Sequence, residues 1–120
     1  MFNLSAQQFD ALQRQRVSDN LDEITRWLQS EYPEVKAMSF LELRAEVELC
    51  AKAPYEWGIQ MGDLIRLHVY ASKFFGTDYW QAAPPIGAVL QDPYIDDDLK
   101  HIWFKGWIDA MFDQMLKKAA

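Results

Sequence analysis

The stretch that decides the fold runs from Tyr55 to Trp80 and reads YEWGIQMGDLIRLHVYASKFFGTDYW. Its apolar residues recur three and four positions apart, which is the spacing of one helix face. That face carries Leu64, Leu67, His68, Ala71 and Phe75, and it is widened by Ile65, Val69 and Tyr70. The pattern predicts a helix that begins near residues 60–63, ends at Gly76 and is buried on most of its circumference. Gly58 is predicted to end the preceding helix in a left-handed conformation.

The segment before this stretch carries helix signals of its own. Ser5 and Ser39 each open a capping-box pattern, with a Gln or a Glu three positions later. Apolar residues then follow at mostly helical spacing: Phe9, Leu12, Val17, Leu21, Ile24 and Leu28 in the first segment, and Phe40, Leu43, Val47 and Cys50 in the second. Pro33 is predicted to stop the first helix, and Pro54 to interrupt the second.

The segment after it predicts one short and one long helix. Pro85 suits the first turn of a short helix that ends at Asp92-Pro93, while Gly62 is expected in a loop or a first turn. Asp96 is expected to cap the last helix, whose charges match the helix dipole: Asp97 and Asp98 at its start, Lys117 and Lys118 at its end. The sequence therefore predicts an all-α fold, a single compact bundle of about four long helices plus one short helix over residues 1–120.

Charge and composition restrict the partners of the chain. Its 120 residues carry a formal charge of −6, which disfavours nucleic acids and anionic membranes as partners. Cys50 is the only cysteine, so an internal disulfide and a thiolate-rich zinc site are excluded. The N-terminal residues lack the pattern of an export signal, and no segment is apolar for long enough to span a membrane. We expect a cytoplasmic protein.

The sequence contains no pattern of catalytic or metal-binding residues. His68 and His101 lie in separate predicted helices, and His68 is expected to be packed or hydrogen-bonded rather than a ligand. The acidic run DPYIDDD, residues 92–98, is explained by helix capping better than by calcium binding. The nucleophile elbows and glycine-rich phosphate loops of enzymes are absent from the sequence. We therefore expect no enzymatic activity, no cofactor and no metal.

The aromatic residues are the feature that this composition leaves unexplained. Trp and Tyr are enriched at binding hot spots, and the predicted partner-contact residues are Trp57, Tyr79, Trp80, Trp103 and Trp107. In the last helix Trp103 and Trp107 define one stripe, whereas a second contains Phe104, Ile108, Met111, Phe112 and Met115. Two stripes indicate either a central helix or a second face that is offered to a partner. The sequence leaves self-association open.

Three segments, in order along most of the chain, resemble one family of proteins. The segments are LSAQQFDALQ, the stretch from Tyr55 to Trp80, and PPIGAVLQDPYI. The layout resembles small all-helical bacterial proteins encoded beside type VI secretion spike, PAAR and effector genes, although Trp57 stands where that family has Tyr. The resemblance implies an adaptor or co-chaperone whose partner is a secretion effector or its chaperone. The alternative is a cytoplasmic immunity protein, whose acidic surface would suit a toxin with a basic cleft.

Overall fold

The computed structural model describes residues 6–119, and within that range every regular element is a helix. The elements are α1 (Ala6–Glu31), α2 (Pro33–Lys36), α3 (Phe40–Glu56), α4 (Gly62–Phe75), α5 (Tyr79–Ala82), α6 (Pro84–Gln91) and α7 (Asp97–Ala119). The prediction of an all-α fold is confirmed. Four helices are long, as predicted, but three short ones accompany them instead of one. The predicted cap at Ser5 lies outside the described residues.

The contacts within the chain divide it into two compact units, Met1–Leu49 and Cys50–Ala120. The division falls within α3, so the first ten residues of that helix belong to unit 1 and the remainder to unit 2. Each unit has buried apolar residues of its own. The single domain over 1–120 stays a prediction.

Unit 1 contains α1, α2 and the start of α3. Of the stripe predicted on α1, its C-terminal part is buried (Leu21, Ile24 and Leu28), whereas Leu12 is exposed. The Arg44 Nε donates to an Asp22 carboxylate oxygen at 2.8 Å, and the Arg26 guanidinium lies over the Phe40 ring. These contacts link α3 to α1 within the unit.

The ends of the helices in unit 1 follow the local signals. α1 ends at Glu31, and Tyr32 is extended (φ −122°, ψ 109°), as a residue before proline should be. Pro33 itself opens α2, in the first-turn position that tolerates its missing N–H. The Ser39 hydroxyl accepts the backbone N–H of Glu42 at 3.1 Å and thereby caps α3, which confirms the predicted start.

The C-terminal end of α3 belongs to unit 2 and closes in a Schellman motif. Gly58 has φ +82°, its N–H donates to the Tyr55 carbonyl, and the N–H of Ile59 donates to the Pro54 carbonyl. The left-handed Gly58 is thus confirmed. The predicted interruption at Pro54 is wrong, since α3 continues through it to Glu56. Proline is tolerated there because only the Cys50 carbonyl loses its helical N–H donor. His68 is another hydrogen-bond partner for the backbone of Cys50.

In the rest of unit 2, α4 contacts α5 and α7, and α6 contacts the same two helices. Gly62 is the first residue of α4, and Gly76 (φ +99°) follows its last. Pro85 lies in the first turn of α6, which ends immediately before Asp92-Pro93, as predicted. A side chain at Gly87 would collide with the Trp80 carbonyl oxygen, so glycine is required where α6 approaches α5.

The first residue of α7 makes two hydrogen bonds that the sequence did not predict. The helix begins at Asp97, immediately after the predicted cap residue Asp96. One carboxylate oxygen of Asp97 accepts the backbone N–H groups of both Gln60 and Met61, each at 3.0 Å. This side chain therefore joins the α3–α4 connection to α7, and it also complements the positive end of the helix dipole.

We expect Gly58→Ala to lower the free energy of unfolding by about 1 kcal/mol, because alanine is strained in the left-handed region. The matched control is Gly106→Ala. Gly106 is in the interior of α7, and a Cβ there would meet no atom within 4 Å. That variant should gain about 0.5–1 kcal/mol. Urea denaturation measures both, and a loss of stability in Gly106→Ala would contradict the placement of this residue.

We also expect Asp97→Ala to lower the free energy of unfolding by about 1–2 kcal/mol, because two backbone N–H groups lose their acceptor. Asp98→Ala removes the next carboxylate in the same helical turn and should cost less than half as much. Thermal or urea denaturation of the pair checks this. Equal losses for the two variants would mean that the bonds from Gln60 and Met61 contribute nothing.

Candidate functional site

A buried histidine lies at the centre of unit 2. The Tyr79 hydroxyl is 2.7 Å from His68 Nδ1, and the His68 backbone carbonyl accepts the Ser72 hydroxyl at 2.8 Å. His68 also hydrogen-bonds to the backbone of Cys50, and this bond favours the protonated ring, as a carbonyl acceptor does. The N–H that would serve the Cys50 carbonyl within α3 is the one that Pro54 lacks. The buried His68 ring therefore provides the hydrogen-bond donor that Pro54 cannot provide to the Cys50 carbonyl.

The hydrogen-bond partners of His68 all belong to unit 2. In the neutral tautomer with its hydrogen on Nε2, Nδ1 accepts from the Tyr79 hydroxyl, and Nε2 lies 3.5 Å from the Ser72 hydroxyl oxygen. Burial lowers the pKa of His68 from 6.5 to about 4, and burial also raises the pKa of Tyr79. These features confirm the prediction of a packed, hydrogen-bonded histidine and make it a structural group.

Four of the five predicted contact residues belong to one ring cluster around His68. Trp57 contacts the His68 ring and also Trp80, with centroids 5.6 and 5.1 Å apart. Tyr79 stacks on Phe104 and on Trp107, both at 5.6 Å. Trp57, Trp80 and Trp107 are half-buried. Tyr79, by contrast, is only 3% exposed, so its ring has no surface to offer a partner. It is buried because its hydroxyl has a partner in the core.

Trp103 is the predicted contact residue that points away from this cluster. Its side chain is 48% exposed, and those of Leu99 and Ile102 are 46% and 62% exposed. Gly106 and Ala110 are exposed further along the helix. We call these five residues the outer face of α7. Their spacing of i, i+3, i+4, i+7 and i+11 places them on one side of the helix, over about 16 Å.

The opposite side of α7 packs inside unit 2. Phe104 and Ile108 are buried there, and Trp107 contacts the Phe75 ring at 5.4 Å. Trp103 and Trp107, which the spacing predicts in one stripe, are neighbours on the helix surface but differ in exposure, since Trp107 is half-buried at the border of the packed side. Trp107 faces the ring cluster with Phe104, whereas Trp103 does not. The spacing of Leu99, Ile102 and Trp103 in the sequence was the signal that could have revealed the outer face.

Carboxylates line one edge of the outer face. Asp98, Asp109 and Asp113 are all exposed, and they lie on the side of the helix that also carries Ile102. Lys105 lies on the same edge, so three carboxylates stand against one ammonium group. The outer face is therefore apolar along its middle and acidic along this edge.

Unit 1 contains a groove of about 460 Å³ between α1 and α3, lined in part by Val17, Leu21 and Arg44. The Arg44 guanidinium lies 2.8 Å from Asp22 and 3.5 Å from Glu48. Its charge is therefore compensated within the protein. The groove therefore does not offer the charge of Arg44 to a ligand.

Within residues 6–119, His, Cys, Asp and Glu side chains form no group of three or more that could hold a metal ion. None of the helices in that range has the length and apolar character that crossing a membrane requires. Compared with protein-family models, with curated proteins and with solved structures, the chain matches none of them.

We expect the stability of the protein to fall on mild acidification because of His68. Its pKa in the unfolded chain is near 6.5 and in the folded protein about 4, so the unfolded state takes up the proton first as the pH falls. The free energy of unfolding should therefore decrease by about 2 kcal/mol from this residue between about pH 7 and pH 5. Urea denaturation at several pH values measures the effect. His68→Gln should remove this part of the pH dependence, and an identical pH profile in the variant would contradict the assignment.

Proposed function

We propose that this chain is a non-enzymatic protein-binding accessory and that the outer face of α7 is its contact surface. One observation carries the proposal: a long helix is buried on one side and presents Leu99, Ile102 and Trp103 to solvent on the other. Exposed apolar residues that form a contiguous patch mark interaction sites more often than single exposed ones do. Trp in the middle of such a patch is the residue most typical of a binding hot spot.

The shape and charge of this surface favour a protein over other ligands. An exposed helix face has no concavity in which a small molecule could be enclosed. The acidic edge and the formal charge of −6 disfavour phosphate backbones and anionic lipids. Full burial of a large apolar side chain contributes about 1.5–3 kcal/mol. Leu99, Ile102 and Trp103 still expose about half of their surface, so each can contribute part of this free energy to a protein complex.

The resemblance to proteins encoded beside type VI secretion genes supplies the biological setting of the proposal. In that setting the chain is a cytoplasmic adaptor or co-chaperone, and its partner is a secretion effector or the chaperone of that effector. An apolar helix face suits this role, because a loading factor has to cover apolar segments of its client before secretion.

A second candidate function is that of an immunity protein. The observation that favours it is the acidic edge formed by Asp98, Asp109 and Asp113, because carboxylates speed association with a toxin whose active site is basic. In this alternative the partner is a toxin, and binding blocks its active site rather than preparing it for export.

The test uses the effector gene that the resemblance places beside this one. We expect Trp103→Ala to weaken co-purification of that effector by about tenfold or more, because a central anchor is lost. Met115→Ser is the matched control: Met115 is 50% exposed on the same helix but lies on the side opposite the outer face, and its loss should leave co-purification unchanged. Equal recovery of the effector by Trp103→Ala and the wild type would refute the proposed surface.

The same strains separate the two functions. If the chain is an adaptor, Trp103→Ala should reduce secretion of the effector and leave its toxicity to the producing cell unchanged. If it is an immunity protein, the variant should restore toxicity while the secreted amount stays the same.

A further inference from the structure

The C-terminal part of the outer face is built from two small residues, Gly106 and Ala110, one helical turn apart. Glycine weakens a helix relative to alanine, and the packing of unit 2 does not require it here, since a Cβ at Gly106 would meet no atom within 4 Å. Gly87 differs, because there a side chain would collide with Trp80. The packing of unit 2 therefore does not explain why residue 106 is glycine.

The surface shape of the outer face suits the packing of another helix against it. Leu99, Ile102 and Trp103 form a raised apolar end, and Gly106 and Ala110 form a depression beside it. Small residues four positions apart let two helix backbones approach closely, and larger residues next to them grip the side of the incoming helix. An incoming helix also has its backbone groups satisfied internally, so it brings no unpaired N–H or C=O to this apolar surface.

The charges on and around the outer face distinguish between candidate helices. The edge carries Asp98, Asp109 and Asp113 against Lys105, and the exposed Lys117 lies two turns beyond Ala110 in line with the outer face. Carboxylates therefore outnumber ammonium groups by three to two, and the whole chain carries −6. A second copy of the chain brings the same negative charge and is repelled. A helix with Lys or Arg beside its apolar stripe is attracted and places those residues against the carboxylates.

We infer that the outer face binds one amphipathic helix of the partner protein, with basic residues flanking a stripe of small and apolar side chains. The backbone of that helix crosses over Gly106 and Ala110, its apolar stripe packs against Trp103, and its basic flank meets Asp109 and Asp113. This inference rests on the proposed function and specifies the segment of the partner that is recognised.

The test uses the full chain and three fluorescein-labelled peptides of about 18 residues, a length that can become helical on binding. The first has a Leu/Ala stripe flanked by Lys and Arg, the second has Glu in place of every Lys and Arg, and the third is the first with a central proline. Fluorescence anisotropy gives the affinities. We expect the first peptide to bind about tenfold or more tightly than either of the others, because only it combines a basic flank with an unbroken helix.

Variants locate the bound peptide. Gly106→Leu should weaken binding of the first peptide by about tenfold, because the added side chain fills the depression where the backbones meet. Met115→Ser, on the opposite side of the helix, should bind as the wild type does. Circular dichroism confirms that both variants are folded, which the open space at Gly106 leads us to expect.

Equal affinity for the helical and the proline-containing peptide, or an unchanged affinity in Gly106→Leu, overturns the inference. So does a dimer of the wild type that Gly106→Leu dissociates in sedimentation velocity, since the occupant would then be a second copy.

The contact surface and the helical partner segment are refuted by different results. If Trp103→Ala loses the effector but the basic peptide binds no better than its proline version, the helix inference is wrong and the protein-binding surface stands. If Trp103→Ala keeps the effector, the surface itself is wrong, whatever the peptides do.

Discussion

The arrangement of unit 2 depends on the cost of burying the imidazole of His68. A buried polar ring has to have its hydrogen bonds satisfied, and here the partners are the Tyr79 hydroxyl and the backbone of Cys50. Three separate elements are thereby linked: the end of α3, the middle of α4 and the start of α5. Pro54 is part of the same arrangement, because the N–H that it lacks leaves the Cys50 carbonyl to the histidine.

The orientation of α7 follows from this network. Tyr79, held by His68, stacks on Phe104 and Trp107, and these two rings turn one side of α7 inward. Since apolar residues occur on both sides of the helix, its own hydrophobicity does not select the side that is buried. The ring contacts select it, and they leave Leu99, Ile102 and Trp103 outside. The candidate binding surface is thus a consequence of the hydrogen bonds and ring contacts that form the core of unit 2.

The sequence was most informative where the chemistry is local. The glycines at 58 and 76, the cap at Ser39 and the stop before Pro33 each act within one helical turn, so their positions were predictable. The Asp97 bonds and the Pro54–Cys50–His68 arrangement join residues far apart in the chain, and a pattern of spacing contains no information about such pairs. For α7 the sequence indicated two apolar stripes. The partial burial of Trp107, however, depends on its contact with Tyr79 in α5, and the spacing of residues within α7 contains no information about that contact.

Hydroxyl-radical footprinting of the isolated protein tests the central claim, that the histidine–tyrosine network sets which side of α7 faces outward. We predict rapid oxidation of Trp103 and of Ile102, slower oxidation of Trp107, and protection of Tyr79 and Phe104 that is lost only on unfolding. The reverse order, with Trp103 protected while Tyr79 or Phe104 reacts in the folded protein, would mean that α7 is rotated and that the outer face does not exist as a surface.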